Sequence, residues 1–223
     1  MQNDRNPSLG EKINDFIQRN RRGIILSASA VFILVAGLIV FLSLQDVLGK
    51  KAVGEVEELN RRFDEYRFLV GDENYASDIE TLLADLNAFA KNRNGIAGSK
   101  AWSIIAQIHS GRKDWQQAES AWLNAAKAGD KTYLGPISLF NAAAAAEEQG
   151  KLEQAIELLE KSVAHPFEFP AAPRAQFSIG RLYEQIDNYP AAVEAYRAVL
   201  INWQDIPVWQ HLARSRITAI EVR

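Results

Sequence analysis

Cysteine is absent from the 223 residues. That excludes a disulfide framework, a thiolate zinc site, a cysteine nucleophile and lipid attachment to an N-terminal cysteine. Histidine is nearly absent. His109, His165 and His211 lie more than forty residues apart, so no pair has the i, i+3 or i, i+4 spacing of a helical zinc site. His109 falls at a packing position and reads as an interior histidine. Neither sign of charge dominates: 25 Lys+Arg face 28 Asp+Glu, a net charge of −3 with no overall basic bias, so nucleic acid is not an expected partner. There is no Gly-rich phosphate loop, no Gly-x-Ser-x-Gly and no dense basic-aromatic stripe. The carboxylates of Glu147-Glu148 and of Glu157 and Glu160 read as solvated helix faces rather than a glycosidase pair. No catalytic residue, metal or cofactor is expected, and the chain does not read as an enzyme.

Helix is what this composition favours. Gly (13) and Pro (7) are sparse and Ala is abundant. From Gly23 to Leu44 runs GIILSASAVFILVAGLIVFLSL, 22 residues without a charge. As a helix they span about 33 Å, enough to cross a hydrocarbon core. A cleaved signal peptide is the competing reading, but it would have a shorter apolar region followed by a small-x-small site. The run ends instead in Leu42-Ser43-Leu44-Gln45-Asp46, which favours an uncleaved signal anchor. Arg5, Lys12, Arg19, Arg21 and Arg22 precede the span, and only Lys50 and Lys51 follow closely. The bias places the N-terminus in the cytoplasm and everything from Asp46 on the far side, the periplasm in a bacterium. Residues 1–22 carry five Lys/Arg against three Asp/Glu, and residues 45–223 carry 20 against 25, so the exported part is mildly acidic.

The remainder repeats itself. Asp114-Trp115-Gln116-Gln117-Ala118, Lys151-Leu152-Glu153-Gln154-Ala155 and Asn188-Tyr189-Pro190-Ala191-Ala192 align without gaps, with the alanines 37 residues apart. Four residues on sit Trp122, Leu159 and Tyr196; seven on sit Ala125, Ser162 and Val199. Twelve before the alanines are Ala106, Ala143 and Gly180, and three after those are His109, Ala146 and Tyr183. Small residues let two antiparallel helices approach, and a large apolar residue one turn later fills the next gap. Gly111, Gly150 and Asp187-Asn188 supply the turns. Pro136 and Pro173 open the first helices of units two and three, and Pro207 a closing helix.

This spacing resembles the tetratricopeptide repeat family, whose signature is a 34-residue helix–turn–helix. Trp102 matches its Trp, Gly180 and Tyr183 its Gly and Tyr, and Ala118, Ala155 and Ala192 its most diagnostic alanine. The period of 37 departs from 34, placing three extra residues in Lys127–Gly135 and His165–Ala172. The resemblance covers roughly residues 97–222. It implies a TPR-like α-solenoid of antiparallel helix pairs, which with the single N-terminal transmembrane helix read from the apolar run makes the expected fold all-α. The expected parts are a cytoplasmic tail (1–22), a transmembrane signal anchor (23–45), a membrane-proximal helix pair (46–96), three repeats (97–206) and a C-terminal capping helix (207–223).

In the pair, Ala52, Val56, Leu59, Phe63, Tyr66 and Val70 form a 4-3-4-3-4 seam that Gly71-Asp72 breaks. Ile79, Leu82, Leu83, Leu86, Phe89 and Ala90 follow on a second helix. The pair reads as a degenerate repeat or cap, with a dimer through residues 52–70 as the alternative. In the closing helix, Val208, Trp209, Leu212, Ile217 and Ile220 form the inner stripe, with Arg214, Ser215 and Arg216 on or near the polar side.

A stacked array has a concave face lined by the first helix of each pair. The positions expected there are Lys100, Ser103 and Gln107, then Ile137, Phe140, Asn141 and Ala144, then Arg174, Phe177 and Arg181. A cationic and aromatic lining suits an extended peptide or a partner helix. Equally, Phe140 and Phe177 can tuck into neighbouring helices. Some members of the family clamp a C-terminal carboxylate with Lys-x3-Asn, Asn and Lys-x3-Arg in successive units. Lys100 and Asn141 fit, and Arg174 can replace the second Lys, but Ile104 and Ser178 stand where Asn and Arg belong. That activity is not carried over. The loop His165–Pro173 holds three prolines and two phenylalanines, and reads as a seal between repeats or as an exposed interaction knob.

The layout resembles the single-pass ancillary subunit of the bacterial Sec translocon. The resemblance implies a protein of the bacterial inner membrane, with periplasmic repeats holding a chaperone or emerging secreted chain near the channel exit. Its partners would be translocon subunits, a periplasmic chaperone or nascent chains. An envelope scaffold in cell division or outer-membrane assembly is the alternative, and a membrane-tethered hydrolase the third reading.

Overall fold

The structure, a computed structural model, describes residues 9–67 and 75–222. The Gly71-Asp72 break, Val70 and Arg5 lie outside them. The described residues form helices α1 (Leu9–Arg67), α2 (Tyr75–Ala90), α3 (Gly95–Gly111), α4 (Trp115–Ala128), α5 (Leu134–Glu147), α6 (Leu152–Val163), α7 (Ala172–Gln185), α8 (Tyr189–Asn202) and α9 (Pro207–Glu221). The chain divides into two units, residues 1–51 and 52–223.

The described residues of the first unit, 9–51, are the N-terminal part of α1 and contain its apolar run. Ile25, Phe32, Leu34, Leu38 and Phe41 are all exposed, with no cover from the described residues of the unit. A helix apolar on every side is stable only inside something apolar. By length and composition this one qualifies to cross a membrane.

In the second unit, the end of α1 enters the core. Ala52, Val56 and Phe63 are buried with Ile79, Leu82 and Leu86 of α2, and Leu59 and Tyr66 are half-buried beside them. Ion pairs tie the same segment down: Arg62 to Asp85 at 2.7 Å, Arg93 to Glu55 at 3.0 Å, and Lys100 to Glu57. The dimer expected as the alternative for residues 52–70 would have to use what this packing leaves exposed. Its own chain covers Ala52, Val56 and Phe63 of the apolar seam, while Leu59 and Tyr66 keep part of their surface.

Helices α3 to α8 form three hairpins whose turns share one construction. Lys113, Gly150 and Asp187 have φ of 62°, 73° and 57°. Each donates its N–H three residues back, to Ser110, Glu147 and Glu184. The next residue in each turn donates five residues back: Asp114 to His109 at 2.9 Å, Lys151 to Ala146 at 3.1 Å, Asn188 to Tyr183 at 2.8 Å. These are Schellman turns, which satisfy the last carbonyls of one helix and start the next within three residues. The left-handed residue is therefore Lys113 rather than Gly111 in the first unit, and Gly111 is the last residue of α3.

Inside each hairpin the small residues meet as the spacing requires. Ala118, Ala155 and Ala192 are fully buried, as are Ala106 and Ala143 or nearly so. A Cβ on Gly180 would stand 2.6 Å from the Tyr196 ring, so only glycine allows that close approach. The buried carboxylate of Glu119 pins the first hairpin to the second. It accepts bonds from Gln149 at 2.7 Å, Lys151 at 3.0 Å and Gln154 at 2.6 Å.

The loop between α6 and α7 does two things. Phe169 is buried against Phe140, ring centroids 6.1 Å apart, and seals the junction. Phe167 stays 43% exposed beside His165. Helix α9 closes the array with Trp209, Ala213, Ile217 and Ile220 turned towards Tyr196 and Val199. Val208 and Leu212 are exposed, unlike the expected stripe, because they sit one position, about 100°, away from Trp209 and Ala213. Arg216 instead turns inward to Glu184.

Candidate partner-binding groove

The repeat spacing turns one face of each first helix the same way. Positions 100, 103, 104 and 107 of α3 and 137 and 141 of α5 recur at three- and four-residue steps. Lys100, Ser103, Gln107, Ile137 and Asn141 meet there in one cleft of about 470 Å³. Asn60, Ile104, Trp122 and Leu134 complete its walls. Next along α5, Phe140, Ala144, Arg174 and Arg181 line a crevice of about 80 Å³ with Glu147 and Ser178. Phe177 stands apart from these. Its ring packs on Tyr196 and Trp209, with centroids 5.0 and 5.5 Å away, and with Arg181 it lines a cleft of about 440 Å³ against α8 and α9.

Repeat spacing did not assign three of these residues to the cleft. Asn60 lies on α1, ahead of the units that set the period. Trp122 reads as a repeat packing position and Leu134 falls in the Lys127–Gly135 stretch of extra residues, yet both line the cleft, Trp122 while buried.

The electrostatics differ from a cationic groove. Lys100 is held by Glu57 of α1. Arg181 donates both guanidinium arms to Glu147, at 2.7 Å each, and this bidentate bond holds its pKa above the usual value although burial opposes the charge. Arg216 donates its Nε to Glu184 at 2.9 Å, and the Tyr196 hydroxyl donates to the same carboxylate at 2.6 Å. Arg174 lies over the Phe140 ring, 5.5 Å from its centroid.

What the main cleft keeps available is neutral. Ser103 donates to the Ser99 carbonyl at 2.8 Å, and the Asn60 amide donates to Asp64 at 3.1 Å. Among the described residues, the side chains of Gln107 and Asn141 have no hydrogen-bonding partner. Each carboxamide offers donors and an acceptor above Ile104, Trp122, Leu134 and Ile137. That pairing suits a peptide main chain with an apolar side chain beneath it.

The histidines do not converge. His109 Nδ1 is 3.7 Å from Asp114, His165 Nδ1 accepts the Phe167 N–H at 3.2 Å, and His211 is exposed on α9. Among the described residues no three His, Asp or Glu are grouped to hold a metal ion.

The comparisons with known proteins agree with this geometry. A tetratricopeptide repeat family model matches residues 105–168 and again 140–206. A TPR repeat-containing protein of Treponema pallidum is 36% identical over 147 residues, 64% of this chain. The chain spans 60% of that relative's length. Two crystal structures of nearly identical TPR-like repeats from a Podosopora anserina kinesin light chain sequence share the fold, at TM-scores of 0.56 and 0.51. They are 16% and 15% identical, and each match covers 74% of this chain and 91% of the other. A stack of such hairpins is a protein–protein interaction module. Residues 105–206 of this chain are tetratricopeptide repeats.

Proposed function

We propose that the chain is a membrane-tethered docking module whose groove holds an extended segment of another protein. The observation that carries this reading is the pair of unpartnered carboxamides, Gln107 and Asn141, above the apolar floor of the α3–α5 cleft. Two amides in one cleft, one from α3 and one from α5, read main chain rather than sequence, and the apolar lining accepts varied side chains. Such a site is suited to many clients held weakly.

The apolar run of α1 supports a tether in the inner membrane, with the repeats in the periplasm. Confinement to the membrane surface raises the effective concentration of the groove at a membrane partner. The order of parts supports a place beside the Sec channel, where the clients are a periplasmic chaperone or emerging secreted chains. Photo-crosslinking in intact cells from positions 107, 137 and 141 tests this. Adducts with translocon subunits, chaperones or nascent secreted chains are expected, and Asn141→Ala with Gln107→Ala should reduce them severalfold. Adducts dominated by division or outer-membrane assembly proteins would overturn the translocon placement but keep the groove. Adducts no richer than those from exposed Glu153 on α6 would overturn the groove itself.

A further inference from the structure

Residues 37 apart occupy equivalent places at the first and second junctions between hairpins, so each junction is a control for the other. At the second, a cleft of about 560 Å³ opens between α6 and α8 over α7. Its walls include Glu160 and Val163 of α6, Gln176 and Ile179 of α7, and Ala191 and Ala195 of α8. Gln176, Ile179 and Tyr183 lie on the opposite side of α7 from Arg174, Phe177 and Arg181, given about 100° per residue. This cleft therefore belongs to the back of the array, not to the groove.

The same places at the first junction are filled by leucines. Leu123, Leu139 and Leu158 stand where the second junction has Glu160, Gln176 and Ala195. Leu158 is buried, and Leu123 and Leu139 pack against the core. The later junction keeps an apolar floor but has exchanged its leucines for a carboxylate, an amide and a methyl. Glu160 accepts the Tyr183 hydroxyl at 3.1 Å. Glu194, the other carboxylate that lines the cleft, pairs with Arg197 on its own helix at 2.7 Å.

We propose that this cleft is a second docking site, for a short amphipathic segment of a protein partner. The segment places one large aliphatic or aromatic side chain between α6 and α8, in the space the leucines fill elsewhere, and an adjacent Lys or Arg on Glu160. The missing leucines supply the shape, and Glu160, the lining carboxylate with no cation from the described residues on it while Glu194 is paired with Arg197, supplies the charge preference. The site does not depend on the groove being occupied.

The test uses the full chain in neutral maltoside micelles, with methyl-labelled Ala and Ile. The probe is a synthetic capped helical peptide with leucines on one face flanked by lysines. Saturating shifts at Ile179, Ala191 and Ala195 are expected. A peptide with Glu in place of Lys should bind at least tenfold more weakly, and Glu160→Lys should reverse that preference. Ala195→Leu, which restores the leucine of the first junction, should abolish the shifts, whereas Asn141→Ala should leave them intact. Shifts confined to other methyls, or equal binding of the Lys and Glu peptides, would overturn the site. So would an Ala195→Leu chain that is more heat-stable yet binds the peptide unchanged, which would mark a packing gap only.

Discussion

Lys113 adopts the left-handed conformation that its equivalents Gly150 and Asp187 share. For an L-residue with a Cβ that conformation costs about 1–2 kcal/mol, while glycine adopts it freely and loses about 0.5–1 kcal/mol more chain entropy on folding. Lys113→Gly is therefore expected to stabilise the fold by roughly 0.5–1 kcal/mol, and Gly150→Ala to destabilise it by a similar amount. Thermal unfolding followed by circular dichroism reads both; a Tm that falls in Lys113→Gly would show that its side chain contributes more than the turn geometry does. Gly180 answers to a different constraint. The Tyr196 ring that a new Cβ would meet is fully buried and its hydroxyl is held by Glu184, so it has little room to yield. Gly180→Ala gains helix propensity but overpacks the hairpin, and a net loss of about 1–3 kcal/mol is expected in urea unfolding.

At the scale of elements, the closing helix is fastened by a polar triad around the buried Tyr196. Arg216 of α9 and Tyr196 of α8 both donate to Glu184 of α7. Burial first, and then the bond to Glu184, push the Tyr196 phenol well above its ordinary pKa. A raised folded-state pKa stabilises fully while both states keep the proton, below about pH 10. Above that the unfolded chain ionises first, so this contribution declines by up to about 1.4 kcal/mol per pH unit. Tyr196→Phe has no such proton to lose. The stability gap between wild type and Tyr196→Phe is expected to shift towards the variant between pH 9 and pH 11; a constant gap would sink the triad as the cause. The triad also marks where reading the sequence stops. Ala118, Ala155, Ala192 and their partners were legible because close helix packing leaves small residues at fixed steps. Arg181 and Glu147 are 34 residues apart, and Arg216 and Glu184 are 32. No local period reports which long side chains meet across a junction, so Lys100 and Arg181 read as free cations when each has a carboxylate. Asn60 escaped notice for the related reason that α1 lies outside the repeat.

For the molecule as a whole, the two units pose opposite problems to water. Residues 1–51 expose apolar side chains that only lipid or another apolar surface can cover, whereas residues 52–223 enclose a continuous core from Val56 to the last hairpin. The seam of α1 belongs to the second unit. A chain starting at Ala52 is therefore expected to be soluble and to sediment as one copy at high micromolar concentration, with its helical spectrum retained. Phe63 separates this from a seam-mediated dimer. Buried against α2, its truncation in Phe63→Ala leaves a cavity and should cost about 3–5 kcal/mol of unfolding free energy without changing the sedimenting mass. In a dimer built on the seam, the same substitution would instead shift the mass from two copies to one, and the stability of the single copy would hardly change. The ion pairs from Glu55, Glu57 and Arg62 to α2, α3 and the turn between them favour the first outcome, since a dimer through the seam would have to detach the segment they hold.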